Sequence, residues 1–298
     1  MPALRLRAFA KINLGLRILS RRPDHYHEIR TVYQAVSLAD HLEVAVSSRP
    51  GGIVVEADDP TVPSGSENLA YKTCERWRQV RGGLRRQITI RIEKGIPAGS
   101  GLGGASSDAA ATLLALERLT GDRLTPGGRL ALASGLGSDV PFFLLGGRAL
   151  GCGRGEEVYP LPDLRPRQCL IVFPGFAQST AEAYAAVDSQ LTAGSEPASI
   201  YSPFGMWPQF PWEGWGPAEN DFERVVFAKW PELQRLKQQL LRAGAEMALL
   251  SGSGTAVYAI FDSARKLTAA RARVKSGWRT FAVRTLARAE YGQLQIAL

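Results

Sequence analysis

A glycine- and serine-rich segment, IPAGSGLGGASSDAA at residues 96–110, most constrains what this chain can fold into. Residues 87–96 alternate between apolar and polar side chains, which predicts a strand, and residues 108–119 are mostly apolar, which predicts a buried helix. Glycine has no Cβ, so a ligand can approach its backbone closely, and free N–H groups at a helix start bind phosphate oxygens. The segment therefore predicts a phosphate-binding loop. A turn that only lets the strand and the helix pack closely is the alternative.

The glycine spacing has to be compared with two established phosphate loops. Residues 99–104 spell G-x-G-x-x-G, but a dinucleotide-binding fold needs a second strand after the helix, ending on an acidic residue about 20 positions further on. Asp122 has that spacing but lies in a predicted loop, which weakens the match. A P-loop is excluded because no lysine follows the last glycine. Three hydroxyl groups are candidates for binding phosphate or Mg²⁺: Ser100, Ser106 and Ser107.

The first predicted element is a long strand. Every even position from Leu4 to Ile18 is apolar, a period of two that indicates a strand that is bent or interrupted once. The same alternation places Lys11 and Asn13 on one face, opposite the predicted core. A lysine there is either a solvated strand residue or a functional cation, and its sequence position leaves both interpretations open.

The rest of the chain mixes strands and helices without a regular βαβα alternation, which predicts an α+β protein of two domains. Further strands are predicted at 42–46, 53–56, 169–173, on both sides of the SGSG turn at 251–254, and at 281–285. Further helices are predicted at 67–80, 125–135, 180–187, 220–228, 231–243 and 263–275. A proline-containing linker at 161–167 divides an N-terminal domain, 1–160, from a C-terminal domain, 161–298, and the aromatic stretch 201–217 predicts a loop or lid.

Charge and composition narrow the choice of partner. The net charge of +8 favours an anionic partner, but the basic residues are scattered, which counts against a nucleic-acid-binding patch. Three cysteines without a CxxC spacing fit a reducing compartment, so the cytoplasm is expected. No apolar run approaches the roughly 18 residues of a membrane span, and the N-terminus lacks the apolar core of a signal peptide. Neither secretion nor membrane insertion is expected.

Three segments together resemble the motifs of the GHMP small-molecule kinases, which bind ATP through a glycine loop that is not a P-loop. They are AKINLGL at residues 10–16, PAGSGLGGASS at 97–107 and LLSGSGTAVYAIF at 249–261. Longer matches at 10–40, 137–147 and 219–233 extend the resemblance to nearly the whole chain. The resemblance implies a two-domain α+β fold, with an N-terminal domain like ribosomal protein S5 and a ferredoxin-like C-terminal domain.

The longer matches are most similar to the branch of the family whose substrate carries a cytidine diphosphate group. The implied reaction moves the γ-phosphate of ATP, bound with Mg²⁺, to the C2 hydroxyl of 4-diphosphocytidyl-2-C-methyl-D-erythritol, in the non-mevalonate route to isoprenoid precursors. The implied partners are these small molecules, with no nucleic acid and no membrane. The protein is expected to be a monomer or a homodimer.

Lys11 and Asp139 are the catalytic pair that the resemblance implies. Phosphoryl transfer asks a protein mainly for positioning and charge neutralisation, with a carboxylate accepting the hydroxyl proton and a cation stabilising the developing charge. From its sequence position, Asp139 is equally suited to cap a short helix at VPFFL, residues 140–144. The resemblance favours the role of base.

The resemblance also implies the binding residues. Those for ATP are Lys94, Pro97, Ala98, Gly99, Ser100, Gly101, Leu102, Gly103, Gly104, Ala105, Ser106 and Ser107. Those for the substrate are Asn13, Tyr26, His27, Tyr184, Gly252, Ser253 and Gly254. Tyr26 and Tyr184 are expected to enclose the cytosine ring, while His27 hydrogen-bonds its polar edge. Without the resemblance, the Tyr-His pair is more typical of a half-buried surface, and Tyr184 of the apolar side of a helix.

Two positions and three other functions stay open. The family usually has glycine where His25 stands, and any other residue is strained if that turn needs a positive φ. Lys94 either contacts phosphate or substrate, or is a solvated lysine at a strand end. A kinase of homoserine or mevalonate-type alcohols would share the glycine loop but would not need a cytosine site. A dinucleotide-dependent oxidoreductase and a nucleic-acid-binding module are the remaining alternatives.

Overall fold

A computed structural model of the protein describes residues 2–82, 86–191 and 218–296. Its N-terminal part is built on a six-stranded sheet. The strands are β1 (Ala3–Arg21), β2 (His27–Pro50), β3 (Ile53–Ala57), β4 (Arg86–Glu93), β5 (Arg148–Cys152) and β6 (Glu157–Pro160). The strand β2 is central: it pairs antiparallel with β1 along one edge, and with β4 and β5 at the two ends of the other edge. The strand β3 lies parallel to β4, and β6 extends the sheet beyond β5.

The first two strands differ from the prediction in regularity and in length. The register of β1 shifts at three places, between Phe9 and Lys11, between Asn13 and Gly15, and near residue 19, where one interruption was expected. The strand β2 starts at His27, whereas only residues 42–46 had a strand pattern. Residues 31–36 of β2 are buried without alternation, so no period of two marks them in the sequence.

Four helices lie in the described residues of the N-terminal part. They are α1 (Leu69–Val80), α2 (Gly104–Thr120), α3 (Pro126–Leu136) and α4 (Val140–Leu145). The helices α1 and α2 share a core with the sheet, in which Trp77, Ile90 and Leu116 are fully buried. The helix α2 starts at Gly104, four residues before its predicted start, because the glycine segment itself takes on helical conformation after Gly103. The phosphate-binding candidates therefore form the first turn of a helix.

The C-terminal part is a four-stranded antiparallel sheet covered by helices. Its strands are β7 (Gln168–Phe173), β8 (Met247–Leu250), β9 (Val257–Phe261) and β10 (Arg279–Arg284), in the spatial order β10-β7-β9-β8. Its helices are α5 (Thr180–Leu191), α6 (Phe222–Lys229), α7 (Pro231–Arg242) and α8 (Ala264–Arg271). With helices between the first and second strands and between the third and fourth, this is the predicted ferredoxin-like arrangement. The aromatic stretch 201–217 lies outside the described residues.

The two parts share buried surface and are not joined by the linker alone. One face of the second sheet packs on β1 and β2, where Ile12 and Val36 join a cluster with Ile171 and Tyr258. A last helix, α9 (Arg288–Ile296), returns to the first part, and Tyr291 donates a hydrogen bond to the carbonyl of Phe143 over 2.8 Å. The C-terminal end of the predicted second domain therefore packs on the first. No helix among the described residues is both long and apolar enough to cross a membrane.

Candidate active site

A cleft of about 810 Å³ has walls from both parts of the molecule. The strand β1 and the loop before α2 form one side, and the start of α5 and the turn between β8 and β9 form the other. The predicted site residues that line it are Lys11, Asn13, Tyr26, His27, Lys94, Pro97, Ala98, Gly99, Ser100, Gly101, Gly103, Gly104, Ala105, Ser106, Asp139, Tyr184, Gly252 and Ser253. Three predicted site residues do not line it: Leu102, Ser107 and Gly254.

The glycine loop opens onto the start of α2. Gly99, Gly101 and Gly103 have φ angles of 65°, 85° and 76°, a region that side chains with a Cβ rarely adopt. The Ser107 N–H makes an early bond of the helix, to the carbonyl of Gly103 over 2.9 Å. The N–H groups of the three residues before Ser107 precede the i→i−4 ladder and stand at the positive end of the helix dipole. The loop therefore has the geometry of an anion cradle.

A second glycine turn, SGSGT at residues 251–255, supports the loop. The Ser251 hydroxyl donates to the carbonyl of Gly101 over 3.0 Å. A Cβ on Gly101 would collide with the carbonyl of Ser251, and one on Gly254 would collide with the backbone of Ser100. The prediction that this turn lies beside the phosphate loop is confirmed. Gly254 packs directly against the backbone of Ser100, which explains why it does not face the cleft.

Two of the three candidate serines donate their hydroxyl hydrogens to backbone carbonyls of the protein. The Ser100 hydroxyl donates to the carbonyl of Pro97 over 2.6 Å, and the Ser107 hydroxyl donates to the carbonyl of Phe9 over 2.7 Å. Both serines are buried. These two hydroxyl hydrogens stabilise the loop, and the prediction that Ser100 and Ser107 contribute to binding phosphate or Mg²⁺ stays a prediction. Ser106 lines the cleft and remains a candidate.

Lys11 and Asn13 share a face as predicted, but that face is not solvated. Their exposed fractions are 4% and 1%. The Lys11 Nζ atom donates to Asn13 Oδ1 over 2.7 Å, and Asn13 Nδ2 donates to Thr31 Oγ1 over 2.8 Å. The second glycine turn covers this face, with Gly252 close to both side chains. The interpretation of Lys11 as a solvated strand residue is therefore wrong, and Lys11 is a buried cation in the cleft wall.

Asp139 holds the N-cap position of α4, but its side chain makes no capping bond. Its Oδ2 atom lies 3.4 Å from Lys11 Nζ, and its Oδ1 atom accepts a hydrogen bond from the Tyr33 hydroxyl over 3.0 Å. The Asp139 side chain is 29% exposed toward the cleft. Burial, reinforced by this carboxylate, raises the pKa of Tyr33 well above its ordinary value, so Tyr33 stays a donor. Of the two roles considered for Asp139, only the one in the site has contacts to support it.

The expected cytosine residues are arranged differently from a sandwich. The His27 and Tyr184 rings stack on each other, with centroids 4.5 Å apart and planes 12° apart. His27 Nε2 lies 2.6 Å from Asp188 Oδ1. Tyr26 is exposed, and the Arg154 guanidinium lies 4.6 Å from the centre of its ring. The His27 ring therefore covers one face of the Tyr184 ring, where the prediction had placed cytosine.

The turn before the Tyr-His pair is strained as expected. His25 has a φ of 65°, alone among the described residues other than glycine in having a positive value. The turn is closed by hydrogen bonds from the Arg22 N–H to the Tyr26 carbonyl over 2.7 Å and from the His25 N–H to the Arg22 carbonyl over 3.1 Å. The sequence departure at His25 thus coincides with a backbone conformation that glycine adopts more easily.

Lys94 is not the solvated lysine that was one of its two interpretations. Its side chain is 8% exposed, and its Nζ atom contacts the Asp40 carboxylate and lies 3.1 Å from Asp108 Oδ2. Although burial opposes it, these two carboxylates raise the pKa of Lys94. Asp40 also accepts the backbone N–H groups of Gly95 and Ile96, each over 2.8 Å, and so anchors the start of the glycine loop. Whether Lys94 also touches ATP stays a prediction.

Three cleft residues have no signal of their own in the sequence. Tyr33 lies in the part of β2 that shows no alternation, Arg154 lies in a glycine-rich turn, and Asp188 lies on α5 among small residues. Each was missed because its partner is distant in the chain: Tyr33 and Asp139 are 106 residues apart, and His27 and Asp188 are 161 apart.

Comparison with known proteins agrees with this architecture. Residues 68–147 match the model of the GHMP kinases N terminal domain, and residues 212–280 match that of the GHMP kinases C terminal domain. A homoserine kinase from Cytophaga hutchinsonii has the same fold, with a TM-score of 0.73 at 18% identity over 98% of this chain and 96% of its own. The fold is that of a GHMP kinase.

Relatives at higher identity narrow the family. The chain is 43% identical over 261 residues to a 4-diphosphocytidyl-2-C-methyl-D-erythritol kinase from Solibacter usitatus, covering 86% of this chain and 80% of the relative. It is 36% identical to the kinase of that name from Geobacter sp. strain M21, over 96% and 100%. A crystal structure of a 4-(cytidine 5'-diphospho)-2C-methyl-D-erythritol kinase superposes with a TM-score of 0.75 at 34% identity, covering 95% and 99%. The chain belongs to the 4-diphosphocytidyl-2-C-methyl-D-erythritol kinase family.

Proposed function

We propose that this protein transfers the γ-phosphate of ATP to the C2 hydroxyl of 4-diphosphocytidyl-2-C-methyl-D-erythritol, in the non-mevalonate route to isoprenoid precursors. The observation that carries the proposal is the presence in one cleft of an anion cradle, the Lys11–Asp139 pair and an aromatic wall with a histidine. The relatives at 36–43% identity bear the name of this activity. A homoserine or mevalonate kinase has no comparable use for the aromatic wall.

The glycine loop binds the phosphates of ATP. Its N–H groups at the start of α2 point at the ligand side, and the helix dipole favours negative charge there. The Ser106 hydroxyl adds a side-chain donor on the same wall. Because Gly101 is packed on the Ser251 turn, the cradle is held in shape before ATP arrives.

The Lys11–Asp139 pair carries the chemistry. The Asp139 carboxylate accepts the proton of the substrate hydroxyl as that oxygen attacks the γ-phosphorus, and the bond from phosphorus to the bridging oxygen of ADP breaks. Lys11 Nζ, 3.4 Å from the carboxylate, places a positive charge beside the phosphoryl group as it moves. Asn13 fixes Lys11, since it accepts from Nζ while its own amide is held by Thr31.

The aromatic wall selects the cytidine group. Aromatic stacking tolerates any base, so discrimination comes from groups that contact the base edge, and His27 is the side chain placed for this. Because the His27 ring stacks directly on Tyr184, a base can reach that face of Tyr184 only if His27 turns away. Arg154, stacked on Tyr26, brings a positive charge to the wall that receives the diphosphate.

Magnesium enters as part of the MgATP substrate. The described residues contain no group of three or more His, Cys, Asp or Glu side chains that could hold a metal ion. Mg²⁺ in kinases keeps several waters and is bound through one or two carboxylates together with the substrate phosphates. We expect a cytoplasmic monomer or homodimer with no nucleic-acid or membrane partner.

A coupled ADP-release assay tests the proposal. The protein is given ATP with 4-diphosphocytidyl-2-C-methyl-D-erythritol, with homoserine or with mevalonate, each in a separate reaction. We expect ADP release only in the reaction that contains the cytidine substrate. Turnover of homoserine or mevalonate at a comparable kcat/KM would assign a different GHMP kinase activity, and quenching of NADH fluorescence on titration would revive the oxidoreductase alternative.

A further inference from the structure

The geometry points to Tyr33 as a positioning residue for Asp139: its buried hydroxyl fixes one carboxylate oxygen, so that the other faces Lys11 and the substrate hydroxyl. This inference rests on the proposed kinase activity. It concerns a residue of β2 that no motif includes by itself and that does not need to touch either substrate.

The contacts of the Tyr33 hydroxyl define its role. The side chain is 1% exposed, and its oxygen lies 3.0 Å from Asp139 Oδ1 and 3.3 Å from the Gly155 carbonyl. One hydroxyl hydrogen cannot serve both acceptors fully, and the charged carboxylate at the shorter distance is the stronger acceptor. The carbonyl of Gly155 is the weaker, alternative acceptor for the same hydrogen.

The Tyr33 ring is itself immobilised. It packs on Phe142 with centroids 4.9 Å apart and a 33° tilt, and the Lys11 Nζ atom lies 5.5 Å from the ring centre. Phe142 is part of α4, the helix that begins after Asp139. The tyrosine therefore contacts both members of the catalytic pair and the helix that carries one of them.

Two glycines beside Tyr33 make room for it. A Cβ on Gly151 would lie 2.5 Å from Tyr33 Cε2, and a Cβ on Gly155 would collide with the Tyr33 hydroxyl oxygen. Gly155 also has a φ of 107°, which other residues rarely adopt. The glycine-rich turn GCGRG at residues 151–155, which the phosphate loop does not explain, is thus shaped around this hydroxyl.

The consequence for catalysis is pre-organisation of the base. Asp139 lies at the N-terminal end of the short helix α4, and part of its side chain is exposed. It makes no capping bond that would fix its carboxylate. The Tyr33 bond to Oδ1 restricts rotation of the carboxylate and leaves Oδ2 oriented toward Lys11. A base held in this way does not have to be ordered when the substrate binds.

The test is the variant Tyr33→Phe, which removes only the hydroxyl. We expect kcat with the cytidine substrate to fall about tenfold, the loss of one charge-assisted hydrogen bond, with KM for both substrates within about twofold of the wild-type values. Tyr159→Phe is the matched control, because Tyr159 is an exposed tyrosine on β6 outside the cleft, and it should leave both parameters unchanged.

Other outcomes separate this inference from the proposed function. A Tyr33→Phe enzyme with unchanged kcat overturns the positioning role, and so does one whose KM values for both substrates rise as much as kcat falls, since that indicates a general disturbance of the cleft. Thermal unfolding of the variant checks that the fold persists. A wild-type protein that does not phosphorylate the cytidine substrate contradicts the proposed function itself.

Discussion

The free energy of unfolding of the wild-type protein should fall as the pH rises because of Asp108. Replacing Asp108 with asparagine should remove this fall. Asp108 is buried on α2 with its Oδ2 atom 3.1 Å from Lys94 Nζ, and Asp40 binds the same ammonium group. Its other oxygen, Oδ1, is buried without a hydrogen-bond partner among the described residues. Burial, and then the carboxylate of Asp40, raise the pKa of Asp108 to about 8 against the attraction of Lys94.

The direction of the pH dependence follows from the number of protons bound by the folded and the unfolded protein. The ordinary aspartate pKa is 3.8, so between that pH and about 8 the folded protein holds a proton at Asp108 that the unfolded chain has released. The free energy of unfolding therefore falls as the pH rises through this window. One pH unit corresponds to about 1.4 kcal/mol, so between pH 5 and pH 8 this group lowers the free energy of unfolding by about 4 kcal/mol. Asparagine keeps an acceptor for Lys94 and does not titrate.

Urea denaturation at pH 5, 6, 7 and 8 measures the effect. The free energy of unfolding of Asp108→Asn, minus that of the wild type, should grow with pH by up to several kcal/mol. Asp122→Asn, which replaces an exposed aspartate in the loop after α2, is the control and should differ from the wild type by a constant amount. Stability curves of Asp108→Asn and wild type that run parallel across this range would refute the reasoning.

Two further predictions concern the aromatic wall and the turn before it. In calorimetric titrations, Tyr184→Ala should weaken binding of the cytidine substrate by about 10- to 100-fold, the contribution of one base–aromatic stack, and leave ATP affinity unchanged. Tyr184→Phe should keep most of the binding. An equal loss of affinity for both ligands contradicts the assignment. His25→Gly should raise the free energy of unfolding by about 1 kcal/mol in chemical denaturation, because glycine adopts the φ of 65° without steric cost. A destabilised His25→Gly variant would show that the histidine side chain contributes more than its backbone strain costs.

The sequence pattern was a good guide where burial is one-sided. The helices α1, α3, α6 and α7 lie within one or two residues of their predicted bounds, since apolar periods mark them and side-chain caps begin α1 and α3. The pattern failed for residues 31–36 of β2, because both faces of that stretch are covered. It also could not decide whether Lys11 is solvated, because alternation shows that two faces differ but not what covers the polar one.

The catalytic geometry was harder to predict than the fold. The Asp139 carboxylate meets Tyr33 and Lys11 only because β1, β2 and the start of α4 converge, and no local pattern encodes such a meeting. The same holds for His27, whose partners Tyr184 and Asp188 come from α5 in the other half of the chain. The resemblance to the GHMP kinases predicted which residues form the site, whereas their contacts required the tertiary structure.

The most direct test of the central claim is single-turnover phosphoryl transfer by Asp139→Asn. The account predicts that transfer from ATP to 4-diphosphocytidyl-2-C-methyl-D-erythritol slows by about 10²- to 10⁴-fold, while the dissociation constants of both substrates stay close to those of the wild type. Asp122→Asn should transfer phosphate at the wild-type rate. An Asp139→Asn enzyme that transfers phosphate at close to the wild-type rate would contradict the assignment of Asp139 as the base, and with it the mechanism proposed for this cleft.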